Sequence, residues 1–238
     1  MSILSKSTIN SMFFLLSMVT LQTYAAEGIS LDRNRIVYTQ GNDSEVVTVR
    51  NESKHLYLLQ AGVVTSPDGN IPGPFWVTPP IVRFDAKSQD ILRISQREDI
   101  LNLPRDRESV FYFFANAIPD QSDNAKKSDS ARLAIGIKTV IKLFWRPKGL
   151  TGSSDKTAQS LKVSRHGNSI VFYNPTPYYA SFALIQLNDK SIDIDKNPSM
   201  ISPYGSLSFP CAGHGGVIRW RLITDYGGVS DAQVSTVS

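Results

Sequence analysis

Apolar residues recur at every second position in short runs: Ile29 to Tyr38, Glu45 to Arg50, Leu56 to Thr65, Ile91 to Ser95, Val110 to Ala117, Leu133 to Trp145, Ser169 to Tyr173 and Tyr179 to Leu187. A period of two places alternate side chains on opposite faces of a strand. Turn-forming clusters separate the runs, among them Gln40-Gly41-Asn42-Asp43, Ser66-Pro67-Asp68-Gly69-Asn70 and Ile71-Pro72-Gly73-Pro74. No helical stripe of useful length interrupts them, so the pattern predicts an all-β protein of sandwich type. After Trp145 the stretch Arg146 to Asp155 is rich in turn-formers and poor in core residues. It reads as a short linker between two domains, 27–147 and 158–238. The segment Asp120 to Ala131 is almost wholly polar and reads as a solvated loop.

The first residues follow another logic. Lys6 precedes the apolar run Met12 to Val19, and Thr23-Tyr24-Ala25-Ala26 supplies small residues at its end. A positive start, a short apolar centre and a small-residue end are the parts of a secretory signal peptide, placed at residues 1–26. The run is too short to span a bilayer, which takes about 20 apolar residues. Export of the mature chain is therefore expected.

Composition narrows the function further. At 238 residues, 41% hydrophobic and 19% charged, the chain can bury real cores. Removing Lys6 with the leader takes the formal charge from +4 to +3, and the basic residues are scattered, so nucleic acid is not an expected partner. The single Cys211 has no mate in the chain, which leaves stability to core burial. Cys211 and His214 have the spacing of half a zinc site, but no second pair completes it. No nucleophile elbow, phosphate loop or dinucleotide fingerprint is present. Asp193 and Asp195 would share a face on a strand, with Ile192 and Ile194 turned inward. A solvated face explains them better than catalysis. No enzyme activity, metal or cofactor is expected.

The long run is the most informative. Leu133, Ile135, Ile137, Thr139, Ile141, Leu143 and Trp145 share one face, while Lys138, Val140, Lys142, Phe144 and Arg146 share the other. Two readings fit: a core strand with one buried face, or an edge strand whose start keeps apolar side chains for a partner. Soluble proteins usually blunt a long hydrophobic edge, so one that keeps it can be using it. Trp145 and the apolar residues at the start fall on one side, so the strand must change environment along its length.

Seven stretches carry a resemblance: Gly28 to Tyr38, Val77 to Pro80, Leu103 to Ser109, Ala117 to Pro119, Ile141 to Pro147, Asn174 to Tyr179, and Asp225 to Gly227. In this order, behind a leader and around a central linker, they make the chain resemble the periplasmic chaperones of the chaperone–usher pilus pathway. The resemblance implies two immunoglobulin-like β-sandwich domains at an angle, with pilus or fimbrial subunits bound in and beside the cleft and delivered to an outer-membrane usher. It implies β-augmentation, for which chaperone–pilin pairs are themselves a standing example. Arg35 and Lys142 match a clamp for the subunit's C-terminal carboxylate. Leu133, Ile135 and Ile137 match the donors that fill the subunit's groove. Glu108, Arg146 and Asp225 match an interdomain charge network. The short cysteine-free loop before Leu133 is similar to the short-loop subclass. Two occupants remain open for the ribbon: a subunit, or a second copy of the chain capping it as a homodimer.

The competing reading is a secreted carbohydrate-binding sandwich, with Trp76, Trp145 and Trp220 as stacking faces. A pilus subunit fits less well, since such subunits are typically one domain with an internal disulfide.

Overall fold

The structure, a computed structural model, describes residues 28–119, 136–196, 198–211 and 215–237. The leader, the polar loop, Leu133, Ile135 and His214 lie outside the described residues. Among the described residues nine strands precede the linker: β1 (Ile29–Leu31), β2 (Arg35–Thr39), β3 (Glu45–Asn51), β4 (Tyr57–Val64), β5 (Phe75–Thr78), β6 (Ile81–Phe84), β7 (Gln89–Gln96), β8 (Ser109–Pro119) and β9 (Ile137–Arg146). They form two sheets, ordered β1-β3-β7-β5 and β2-β9-β8-β4-β6. Inward residues of both sheets, including Tyr38, Val47, Leu59, Phe84, Leu92, Ile94, Phe113 and Leu143, make one core.

The run from Ile29 to Tyr38 is not one strand. It breaks at Asp32-Arg33-Asn34, where the Asp32 carboxylate accepts a hydrogen bond from Thr48 N at 3.2 Å. Before the break, β1 pairs antiparallel with β3; after it, β2 crosses to the other sheet and pairs parallel with β9. The crossing places Arg35 at the start of β2, beside the middle of β9. Alternation alone could not show this, because both halves keep period two.

The second domain begins with a single helical turn, α1 (Thr157–Ser160), then β10 (Lys162–His166), β11 (Ser169–Tyr173), β12 (Ala180–Leu187), β13 (Lys190–Ser191), β14 (Met200–Ile201), β15 (Ser206–Pro210), β16 (Gly216–Leu222) and β17 (Gln233–Val237). Sheets β10-β11-β15 and β13-β12-β16-β17 enclose Phe172, whose ring meets Phe182 at 4.9 Å, Trp220 at 5.6 Å and Phe209 at 5.9 Å, all edge-on. Edge-to-face geometry matches the positive rim of one ring to the negative face of the next. Asp193 and Asp195 fall on a bend after β13 rather than on a strand; the Asp193 carboxylate accepts from the backbone N–H of Asp195 and Lys196. That is a turn lock, while Ile192 and Ile194 pack against the core.

Each domain also buries one asparagine in the same way. Asn51 donates to His55 O and Asp85 O, both at 2.8 Å, and accepts from the Ser53 N–H and hydroxyl. Asn174 donates to Tyr178 O at 2.7 Å and Ser202 O at 3.2 Å, and accepts from the Thr176 N–H and hydroxyl. A satisfied buried amide fixes a corner, since leaving any of its groups unpaired costs about 1–3 kcal/mol.

Candidate functional site

Strand β9 has two environments. Its second half, Lys142 to Arg146, lies between β2 and β8. Its first half, Ile137 to Ile141, bonds β8 on one side and has no strand on the other among the described residues. The side chains report the same change. Leu143 is fully buried and Trp145 nearly so, Ile141 packs partly on the core, and Ile137 is 38% exposed. One face thus passes from core to partly exposed surface within a single strand, along an edge that no other strand bonds among the described residues. The core-strand reading fits the second half of β9, while Leu133 and Ile135, on which the edge-strand reading chiefly rests, lie outside the described residues.

Where the free edge ends, Lys142 is paired in register with Arg35. Arg35 is 92% inaccessible. Its Nη1 donates to Ile223 O of the second domain at 3.1 Å, its guanidinium lies 5.7 Å from the Phe144 ring centre, and its Nε has no partner among the described residues. Lys142 is half-buried, and among the described residues no carboxylate bonds to it. Burial, then the charge of Arg35, lower its pKa. Two like charges on adjacent strands repel. Such a pair gains when an anion arrives, because the anion offsets both repulsion and desolvation.

Behind this pair runs a charged seam between the domains. Arg146 Nε donates to Glu108 at 2.7 Å, while Nη1 and Nη2 donate to the two Asp225 oxygens at 2.6 and 2.9 Å. The second Glu108 oxygen accepts from the Tyr179 backbone N–H at 2.7 Å, and Ser154 donates to Asp225 at 2.8 Å. Glu108, Arg146 and Asp225 are therefore one network bridging the two sandwiches. Burial pushes the Glu108 carboxyl up, against the opposing charge of Arg146. Burial also pulls Asp225 upward, but the hydrogen bonds and charge of Arg146, with help from Ser154 and Arg35, outweigh it and hold Asp225 below its ordinary value.

Several seam residues were invisible in the sequence as partners. Asn34 donates to Gly227 O at 3.0 Å, and Gly227 takes a φ of +81° in the turn after Asp225, where a Cβ would collide with the Asn34 amide. Tyr178 lies under the Arg146 guanidinium at 5.1 Å, and Tyr179 meets Phe144 at 5.6 Å. The one sequence signal for these tyrosines was that they end the stretch Asn174 to Tyr179, which carries part of the resemblance.

The tryptophans do not form a sugar platform. Trp145 and Trp220 are buried, and the exposed Trp76 carries Arg97 over its ring at 4.7 Å. Among the described residues no group of three or more His, Cys, Asp or Glu gathers to hold a metal.

Comparison with known proteins agrees across both domains. Residues 28–151 match the pili and flagellar-assembly chaperone family, PapD N-terminal domain, and residues 156–234 match the pili assembly chaperone PapD, C-terminal domain. The chain is 34% identical to the chaperone protein AggD of Escherichia coli, over 85% of this chain and 82% of that one. It is 33% identical to the probable fimbrial chaperone LpfB of Escherichia coli O157:H7, over 91% of each. Its fold matches the crystal structure of the E. coli chaperone DraB with a TM-score of 0.77 at 31% identity, covering 89% of this chain and 97% of that one. It matches the Salmonella enterica SafB chaperone, solved in complex with SafA pilin, with a TM-score of 0.78 at 28% identity, covering 89% and 97%. With both halves matched in order, the chain belongs to the PapD family of pilus-assembly chaperones.

Proposed function

We propose that this chaperone captures pilus or fimbrial subunits in the periplasm by lending the free edge of β9, and passes them to an outer-membrane usher. The observation that carries the reading is the adjacency of two features on one strand: a stretch, Ile137 to Ile141, that has no strand on its second edge among the described residues, leading directly to the Arg35–Lys142 pair. A subunit strand added along that stretch would bring its chain end to the two cations. Arg35 and Lys142 then hold the terminal carboxylate, with charge-assisted bonds worth about 1.5–3 kcal/mol each. Leu133, Ile135 and Ile137 fill the subunit's groove, each burial contributing about 1.5–3 kcal/mol. Association costs an estimated 4–15 kcal/mol or roughly more, so ladder, donors and anchor must act together. Glu108, Arg146 and Asp225 fix the angle at which the second domain meets the bound subunit.

The leader at 1–26 directs export, and domains at 27–147 and 158–238 follow from it. The function is binding rather than catalysis. A self-capping homodimer gains no support from the relatives, and subunit capture is the reading kept. The test is co-expression with the fimbrial subunits of the same organism. Wild type should co-purify with a subunit, and Arg35→Ala and Lys142→Ala should fold yet lose it. Undiminished capture by both variants would remove the anchor.

A further inference from the structure

The anchor has more polar neighbours than its two cations. Tyr112 on β8 is the direct cross-strand partner of Lys142 on β9. Cross-strand partners share a sheet face, with Cβ atoms roughly 5 Å apart. Phe144, two residues along that face, carries the Arg35 guanidinium and also meets the Tyr179 ring, which comes from the second domain. Arg35, Lys142, Tyr112, Phe144 and Tyr179 therefore surround one spot where the sheet meets the interdomain cleft. Both tyrosines are half-buried, and among the described residues neither hydroxyl has a hydrogen-bond partner.

We infer that the Tyr112 and Tyr179 hydroxyls complete the carboxylate anchor, donating hydrogen bonds to the captured chain end alongside Arg35 and Lys142. This rests on the anchor reading given above and extends it. An ionised carboxylate is acceptor-only, with about four lone-pair sites over its two oxygens. Arg35 has already committed Nη1 to Ile223 O, and its Nε points into protein. With two of its five N–H groups so occupied, Arg35 faces the carboxylate with fewer donors, and a half-buried lone pair that no donor reaches is costly. Phenols suit the task because they donate without adding a third positive charge to a pair that already repels. Burial pushes both phenols above their ordinary value, and for Tyr179 the nearby Tyr112 adds to the effect. Both therefore remain protonated donors throughout the neutral range.

The test uses the full chain and a synthetic peptide with the C-terminal sequence of the co-purified subunit, made both as the free acid and as the C-terminal amide. Wild type should prefer the acid. Tyr112→Phe and Tyr179→Phe should each bind the acid about tenfold more weakly, with a smaller loss for the amide, whose neutral carbonyl accepts a weaker hydrogen bond. A structural role alone would weaken both peptides together. In wild-type protein carrying ring-labelled tyrosine, the carbon-13 signals next to both hydroxyls should move on adding the acid, and move less on adding the amide. An unaltered acid-to-amide ratio in both variants, or still signals, would overturn this inference while leaving the cations' role intact. No acid preference in wild type would overturn the anchor itself.

Discussion

Arg35 and Lys142 are direct partners in the parallel register of β2 and β9, like charges side by side, and among the described residues no carboxylate bonds to either. A fold selected only for its own stability would not keep them so. Burial and the charge of Arg35 depress the Lys142 pKa, so the unfolded chain holds that proton more tightly than the folded one. The resulting cost is fully present below the folded-state value and relieved as pH rises toward the ordinary lysine value of about 10.4. Lys142→Met should therefore raise the melting temperature at neutral pH, by a stabilisation of about 0.5–2 kcal/mol, while abolishing subunit capture. A calorimetric melt beside a co-purification assay checks both halves.

The same depression sets a pH limit on capture. Lys142 must be protonated to hold a carboxylate, so binding should weaken on the alkaline side before an ordinary lysine would titrate. Lys142→Arg should move that loss to higher pH, since guanidinium stays charged. A titration of binding affinity from neutral pH upward distinguishes the two proteins.

The seam should open at acid pH. Asp225 has a folded pKa below its ordinary value, so its contribution is complete above roughly pH 3.9 and is lost as pH falls through the folded value. Glu108 is shifted the other way, and its protonation opposes the loss rather than adding to it. Small-angle scattering should show the two domains loosening below about pH 4, with Asp225→Asn already looser at neutral pH.

Arg146 should be the least replaceable residue of the seam. Glu108 is 97% inaccessible, and Arg146 is the cation that balances it. Arg146→Ala strands a buried carboxylate, a change that costs about 3–5 kcal/mol. Arg146→Ala combined with Glu108→Gln should recover part of that loss, as read by denaturant unfolding of the single and double variants.

Ile137 should behave as a surface residue in the free protein and an interior one in the complex. At 38% exposure, Ile137→Asp should change monomer stability by about 0.5 kcal/mol or less. Subunit binding should fall by about 1.5–3 kcal/mol, the worth of one buried aliphatic side chain. Equilibrium unfolding and a subunit-binding isotherm separate the two effects.

The sequence made the all-β architecture legible, because period-two alternation is a direct image of the pleat. It also exposed the contradiction within β9, apolar residues too numerous for one environment. It left out β5, β6, β13 and β14, which are only two to four residues long, and β10 and β15 to β17, whose alternation is diluted by Ser, Pro, Arg and Gly. The sheet switch at Asp32 to Asn34 was hidden because pairing partners are a tertiary property. The network of Glu108, Arg146 and Asp225 came from family resemblance, since residues 79 positions apart carry no local sign of meeting. Tyr178, Tyr179 and Ser154 were missed as its partners for the same reason. Their roles depend on a corner built by Asn174 and on a linker that folds back as 3-10 and α turns.

Amide hydrogen exchange along β9, with and without bound subunit, tests the lending of this edge most directly. Fast exchange is expected for the edge-facing amides between Ile137 and Ile141 in the free protein, with strong new protection in the complex, while Leu143 to Arg146 are protected in both. A complex that forms with Ile137 to Ile141 exchanging as in the free protein would contradict the lending of this edge.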